Sequence, residues 1–254
     1  MNTDLTINHE WNNSVNVQKL DKLTEDLNRD HSSLKTLELL DVMINEIFKN
    51  KITLVSSFGT EAALLLALTA EVNPSTPVIF LDTLKHFPET LEYRDKMIER
   101  LKLTDVRSIK PEPSAAKSSE AEKMWETNPD GCCYIRKVLP LEESLLGFEA
   151  WINGRKRLHG GLRSDLDILE HDGRRIKVNA IANWTPYMID VEWKKRDLPE
   201  HPLIPFGYTS VGCQPCTVKP NPGEGPRSGR WEKFSKQECG IHNDKKPGGY
   251  DAGL

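Results

Sequence analysis

Five cysteines carry most of the chemical information in this 254-residue chain. Four fall into two close pairs, Cys132-Cys133 and Cys213-x-x-Cys216, and the fifth, Cys239, stands alone near the C-terminus. Two close thiol pairs far apart in sequence are a common way to build a four-thiolate site. Gly131, Gly212 and Pro215 supply the tight backbone that lets neighbouring thiolates converge. Inert buried cysteine suits a single residue better than this pattern. The spacing therefore points to a metal or cluster and leaves iron–sulfur and zinc both open, although adjacent cysteines are less usual for zinc. Cys239 sits in Lys236-Gln237-Glu238-Cys239-Gly240-Ile241-His242. An isolated thiol is usually incidental. Positive neighbours such as Lys236 and His242, however, favour the thiolate and make the segment a candidate nucleophile.

Basic residues form two clusters. One is Arg227-Ser228-Gly229-Arg230-Trp231, and the other joins Gly154-Arg155-Lys156-Arg157 with Gly160-Gly161-Leu162-Arg163. Either one, taken alone, reads as solvated surface or as an anion site. Two polar loops complete the candidates. Ser56-Ser57-Phe58-Gly59-Thr60-Glu61 offers hydroxyls, a small Gly59 and a following helix N-terminus, which together can cradle an anion. Taken alone it is also an ordinary helix cap. Leu81-Asp82-Thr83-Leu84-Lys85-His86-Phe87-Pro88-Glu89-Thr90 presents Asp82 and Thr83 at a strand end, where they can hydrogen-bond a ribose or base.

The elements that must position these groups are legible in outline. The first thirty residues are polar and read as a loosely attached lead-in. Ser32 and Ser33 are expected to cap a helix carrying Leu34, Leu37, Leu40, Ile44 and Ile47 on one side. Ile52–Val55 is a short buried-strand pattern, followed by an Ala/Leu-rich helix from Ala62 to about Ala70. Val78–Leu81 is a second strand, and Pro88 suits the first position of a helix running to about Leu101. Further strands are expected near Trp151-Ile152 and Ile176–Val178, and a helix over Pro186–Lys195. From Pro199 onward Pro and Gly are dense and regular structure should fade. Strand–helix alternation implies an α/β fold with a parallel sheet and flanking helices. Ligands of such sheets bind beyond the carboxyl ends of the strands, where both polar loops lie. The reading divides the chain into a lead-in over 1–30, a nucleotide-binding domain over 31–220, and a flexible C-terminal segment over 221–254. Pro247, Gly248, Gly249 and Gly253 contribute to the flexibility of that end.

The formal net charge of -4 argues against a general nucleic-acid binder, which would carry a basic stripe. No apolar run approaches the roughly 20 residues that span a bilayer. The polar N-terminus has no signal-peptide pattern. A cytoplasmic setting is expected, where thiols stay reduced and five cysteines suggest metal or redox chemistry.

These motifs, in this order, resemble one family. Strand–S-S-F-G–helix looks like the modified pyrophosphate loop of the adenine nucleotide α-hydrolase-like (Rossmann-like) fold. L-D-T-x-x-H-F-P-E-T looks like the matching loop of adenylyl-sulfate and phosphoadenylyl-sulfate reductases. The S-G-G-x-D-S loop of ATP pyrophosphatases is missing. C-C-Y-I-R-K-V-x-P-L followed by G-C-Q-P-C-T resembles the cluster signature of the adenylyl-sulfate branch. The resemblance runs from about Ile52 to Asp244. It implies a [4Fe–4S] cluster on Cys132, Cys133, Cys213 and Cys216, with Lys137 between cluster and substrate. E-C-G-I-H matches the family's catalytic motif, making Cys239 the nucleophile and His242 its companion. Ser56, Ser57, Gly59, Asp82, Thr83, Arg163, Arg227 and Arg230 become the substrate-binding set. Ser164-Asp165-Leu166-Asp167 departs from the further arginine and Gln-Ser of many relatives. The implied activity is thioredoxin- or glutaredoxin-dependent reduction of adenylyl sulfate to sulfite and AMP, through a cysteine S-sulfonate. It belongs to sulfate assimilation for cysteine biosynthesis, with no nucleic-acid or membrane partner and homo-oligomerisation left open. The alternatives are a phosphoadenylyl-sulfate reductase, a zinc-stapled nucleotide-binding module, or an ATP pyrophosphatase-like enzyme.

Overall fold

The computed structural model describes residues 4–242. The expected glycine-rich end (Pro247, Gly248, Gly249, Gly253) lies outside them. The helices are α1 (Asp4–His31), α2 (Thr36–Asp41), α3 (Ala62–Val72), α4 (Pro88–Leu101), α5 (Pro113–Ala121), α6 (Met124–Thr127), α7 (Pro129–Cys133), α8 (Leu139–Ser144) and α9 (Pro186–Lys195). The strands are β1 (Ile52–Val55), β2 (Val78–Leu81), β3 (Val106–Ile109), β4 (Ala150–Ile152), β5 (Leu169–His171) and β6 (Ile176–Val178). They form one sheet in the order β3-β2-β1-β4-β6-β5. Every pairing is parallel except that of β5 with β6.

Period-two alternation divides the strands between two apolar layers. Val78 and Phe80 face the main core beside Leu54, Ile152 and the buried side of α3. Ile79, Leu81 and Trp151 face the other side, where Leu141 of α8 and Leu145 just after it cover them. Both faces being covered explains why the central strands are nearly continuous in apolar residues.

The expected lead-in is a helix whose second half packs on the sheet. Leu27 is buried in the core, and the Asn28 side chain bonds the Leu169 backbone in both directions, 2.7 Å to the carbonyl and 3.2 Å from the N–H. The expected Ser32–Ser33 cap is not used. Those residues lie in the turn that ends α1, and α2 starts after Lys35, whose N–H donates to Glu38 Oε2 at 3.2 Å. Among the described residues no helix is long and apolar enough to cross a membrane.

The order of strands reverses at β1. From there the chain builds outward through β2 and β3, then returns to place β4 on the other flank. The crevice at the carboxyl ends of β1 and β4 is thus a topological switch point, the usual ligand site of open α/β sheets.

Candidate active site

A cleft of about 240 Å³ opens at that switch point. Its walls come from the loop after β1, the loop after β4, the Cys213 segment and the C-terminal segment. The loop after β1 is tightly folded. Phe58 has φ +48, and the Ser56 and Ser57 hydroxyls accept from the N–H groups of Phe58 and Gly59 at 3.3 and 3.4 Å. A Cβ on Gly59 would stand 3.2 Å from the Val211 carbonyl, so a small residue lets the two segments close on one another. Thr60 staples them by donating to the Thr209 carbonyl at 3.1 Å.

At the head of α3, Glu61 meets Lys156 at 2.8 Å and His159 at 3.4 Å. Burial pushes this carboxyl up, but His159 and Lys156 outweigh it and hold it at about 2. A fixed carboxylate therefore stands within the anion cradle that the loop was expected to form. Across the cleft, Asn153 at the end of β4 accepts from Arg155 N–H and Nε at 3.1 and 3.2 Å. Arg155 also pairs with Glu170, which receives a hydrogen bond from Asn179 at 3.0 Å. This buried network stiffens the floor. The Asn153 amide nitrogen is buried without a partner, as are atoms of His86, Arg230, Trp231 and His242, all lining the same cleft. Buried polar atoms are rarely left unmade. Their concentration here is what a site for a polar ligand requires.

Of the paired cysteines, Cys213 lines this cleft, and the other three are grouped about it. Asn128 caps α7 by accepting from Gly131 N–H at 2.9 Å, and α7 carries Cys132 and Cys133. The chain then widens into a π-helical turn over Tyr134–Val138 before α8. Pro140 in α8 has no N–H to give the Arg136 carbonyl and would crowd it, and the wider turn relieves both problems. That turn aims Arg136 and Lys137 in different directions. Arg136 is buried and donates to the carbonyls of Thr83 and Ala116, each at 2.9 Å, and to Ser119 at 3.3 Å. Lys137 faces the cleft. Burial disfavours its charge, but Cys213, Cys133 and Cys239 outweigh this and hold it protonated.

Cys213 lies 3.3 Å from the Thr83 hydroxyl, and Gln214 N–H donates to the Lys85 carbonyl at 2.7 Å. Burial pushes the Cys213 thiol up, yet Lys137, Thr83 and Arg230 bring it below its ordinary value. Cys133 goes the other way, pushed up to about 12 by burial. Cys213 acts electrostatically on each of Cys132, Cys133 and Cys216, so the two pairs share one neighbourhood. All five cysteines are free thiols. Among the described residues no group of three or more His, Cys, Asp or Glu is arranged to hold a metal ion. Four thiols with one ammonium facing them are soft donors of the kind that either zinc or an iron–sulfur cluster takes.

The arginine segment is laced to the Cys216 segment. Thr217 bridges Arg230, Val218 N–H donates to the Gly229 carbonyl at 2.8 Å, and Trp231 N–H donates to the Cys216 carbonyl at 3.1 Å. The Trp231 ring is then surrounded by cations: Arg230 at 4.6 Å, Lys236 at 5.7 Å and Lys137 at 6.0 Å from its centroid. Lys236 also pairs with Asp130 of α7. Cys239 faces Lys137, Cys133 and Arg227 closely enough to shift each of them. His242 does not supply the expected positive charge. Burial, and then Arg155, Lys177, Arg163 and Arg227, hold its ring well below the ordinary histidine range.

The cleft thus gathers Ser56, Ser57, Gly59, Thr83, Lys137, Arg163, Arg227, Arg230, Cys239 and His242. Asp82 is not among its walls and instead accepts from Leu84 N–H at 3.1 Å, holding the turn after β2. Residues that sequence reasoning left out include Glu61, Asn153, Lys156 and His159. Glu61 and Lys156 lay inside motifs already singled out, whereas nothing in the sequence marked Asn153 or His159.

The phosphoadenosine phosphosulfate reductase domain matches residues 51–219. That span holds the loop after β1, both cysteine pairs and the loop after β4. The chain belongs to this reductase family. An adenosine 5'-phosphosulfate reductase of Mesorhizobium japonicum is 44% identical over 213 residues, covering 84% of each chain. A phosphoadenosine 5'-phosphosulfate reductase of Gloeobacter violaceus is 38% identical over 201 residues, covering 77% of this chain and 83% of that one. The crystal structure of phosphoadenylyl-sulfate reductase from Candida auris superposes with a TM-score of 0.65 at 25% identity, covering 77% of this chain and 96% of that one. The sheet and its switch-point cleft are therefore the adenine nucleotide α-hydrolase-like fold of the reductase family, as the motifs implied. The flanking segments 1–50 and 220–254 lie outside the matched domain, and the second of these carries Arg227, Arg230 and Cys239.

Proposed function

We propose that this chain is an adenylyl-sulfate reductase. It reduces adenylyl sulfate to sulfite and AMP for assimilatory sulfate reduction and cysteine biosynthesis in the cytoplasm. The observation that carries this reading is the meeting of Cys239 with Lys137, Arg163, Arg227 and Arg230 in the nucleotide cleft. The adenine nucleotide lies along the loops after β1 and β4, and its phosphosulfate points toward the arginines. The Cys239 sulfur attacks the sulfate sulfur, the S–O bond to the phosphate breaks, and AMP leaves with that bonding pair. Lys137, Arg163, Arg227 and Arg230 offset the charge on the phosphate and sulfate oxygens. His242, kept neutral, donates or accepts a hydrogen bond without adding charge.

Cys239 then carries an S-sulfonate. The other four cysteines are committed elsewhere, so an external dithiol of the thioredoxin or glutaredoxin type attacks the Cys239 sulfur. Sulfite departs, a mixed disulfide forms, and the donor's second thiol frees Cys239. Cys132, Cys133, Cys213 and Cys216 would hold a [4Fe–4S] cluster in this reading, and Lys137 would stand beside it, where its field would be tuned. Asp82, which shapes the turn carrying Thr83, acts on the nucleotide through that turn. The unphosphorylated nucleotide is favoured over the 3'-phosphorylated one by the Glu61 carboxylate, which repels an additional phosphate.

The test is trapping. Wild-type protein given adenylyl sulfate without dithiol should gain one sulfonate, mapped to Cys239, and release one AMP per site. Reduced thioredoxin should then discharge sulfite. An adduct on any other cysteine, or sulfite production by Cys239→Ser, overturns the reading.

A further inference from the structure

The residue before the nucleophile is held by two hydrogen bonds from one arginine of the cleft. Both carboxylate oxygens of Glu238 are held by the Arg163 guanidinium, Oε1 by Nε at 2.5 Å and Oε2 by Nη2 at 2.8 Å. Arg227 approaches Oε2 at 3.6 Å, and the same guanidinium donates to the Gln237 carbonyl at 3.1 Å. This is a bidentate fork on a planar oxyanion, with a second arginine beside it. The neighbouring Gln237 side chain lies against Gly161, where a Cβ would stand 3.0 Å from its Oε1. The fork is the one that an oxygen anion of phosphate or sulfate would also choose. Arg163 and Arg227 cannot give the same N–H groups to both.

We propose that Glu238 is a positioning residue that stands in for the substrate's oxyanion: its carboxylate holds Cys239 over the cleft through Arg163 and is displaced from that fork when a sulfonucleotide binds. The inference rests on the reading that Arg163 and Arg227 bind the substrate's anionic part. Nucleotide and tail are then competitors for one clamp, and each weakens the other's hold by the same factor. Binding would loosen the Glu238 anchor while Lys236 still holds Asp130. On nucleotide binding, Cys239 thus moves by a pivot about the Lys236 contact. Covalent chemistry is untouched by this inference, since no bond to Glu238 forms or breaks.

The experiment compares anaerobically purified full-length wild type with Glu238→Gln, Glu238→Asp and Arg163→Ala. AMP is the probe, with affinity read by calorimetry and tail docking by limited proteolysis after Lys233 and Lys236. Glu238→Gln should bind AMP at least about threefold more tightly and be cut faster without nucleotide. Glu238→Asp keeps the charge but is too short for the fork, so it should be cut faster as well, which separates geometry from charge. In wild type, AMP should itself accelerate cleavage, and in Glu238→Gln it should not. Equal or weaker AMP binding in Glu238→Gln, with weaker binding in Arg163→Ala, would overturn the competition while leaving the clamp in place. Unchanged AMP binding in Arg163→Ala would overturn the clamp itself, and the competition with it.

Discussion

The His242 imidazole lies flat on the Trp151 indole, with centroids 5.2 Å apart and planes within 8° of parallel. Trp151 is a strand residue at the centre of the sheet, and His242 belongs to the segment that carries Cys239. Ile241 packs beside them on the Ile79–Leu145 cluster. The C-terminal segment is therefore seated on the sheet through an aromatic face and an aliphatic side chain, with its nucleophile just upstream.

Acid should unseat it. The docked ring takes up a proton less readily than a free one, because it is buried among Arg155, Lys177, Arg163 and Arg227. The undocked state therefore binds more protons as pH falls below the ordinary histidine value of 6.5. Docking is fully favoured above that value and is progressively lost beneath it. Hydrogen exchange of residues 236–242, corrected for intrinsic rates, should show protection at pH 7.5 that declines by pH 5.5. His242→Phe keeps the stack without the titration and should flatten that decline.

Glu61 should act on substrate choice. Its carboxylate is held ionised at about 2, so it remains charged throughout the physiological range. Like charges disfavour one another strongly in a cleft with low-dielectric walls. Glu61→Gln should raise kcat/KM for the 3'-phosphorylated nucleotide relative to adenylyl sulfate by about tenfold, roughly 1.4 kcal/mol of discrimination. An unchanged ratio of the two kcat/KM values would remove Glu61 from the specificity argument.

Gly229 should tolerate no side chain. A Cβ there would sit 2.1 Å from the Val218 carbonyl oxygen, which is backbone and cannot swing aside. Gly229→Ala must push apart the pairing that ties Arg230 to Thr217, at a cost of about 1–3 kcal/mol. Gly225→Ala meets nothing within 4 Å and serves as the control. Thermal melting and nucleotide affinity should both fall for the first variant and stay near wild type for the second.

The four-thiol set should reveal its occupant on purification. Anaerobic protein should contain about four irons and four labile sulfides per chain. Cys213→Ser should bleach the brown chromophore, whereas Cys239→Ser should keep it. Chelation of the iron should abolish that absorbance. Stoichiometric zinc without labile sulfide would replace the cluster with the alternative that the cysteine spacing left open.

The parts of the fold legible in sequence were those with strong internal signals. β1, β2 and α4 are bounded by apolar runs and by Pro88, and α9 runs over Pro186–Lys195 as expected. β3 and β5 escaped notice for a physical reason. Both are edge strands, and Val106–Ile109 alternates only weakly because its middle residues, Arg107 and Ser108, are exposed. The helices around Cys132 are short and polar, so periodicity had nothing to register. Within the site, motif residues such as Lys137 and Arg230 were visible from their neighbours in sequence. Asn153 and His159 were not, since their importance arises only where the loop after β4 meets Arg155 and Glu61. The charge state of His242 was likewise beyond reach, because the cations that suppress it come from three separate stretches of chain.

The lacing of Thr217, Val218 and Cys216 to the 229–231 stretch fixes how far the nucleophile can travel. Arg230 and Trp231 are fastened to the cysteine-bearing wall, so they stay behind when the remainder moves. Only the residues after Trp231 are free to act as a leash. Eight residues at full extension reach about 27 Å. A sulfur on such a leash can leave the cleft altogether and enter a recess on another protein, while the cationic wall it left remains assembled for the next nucleotide.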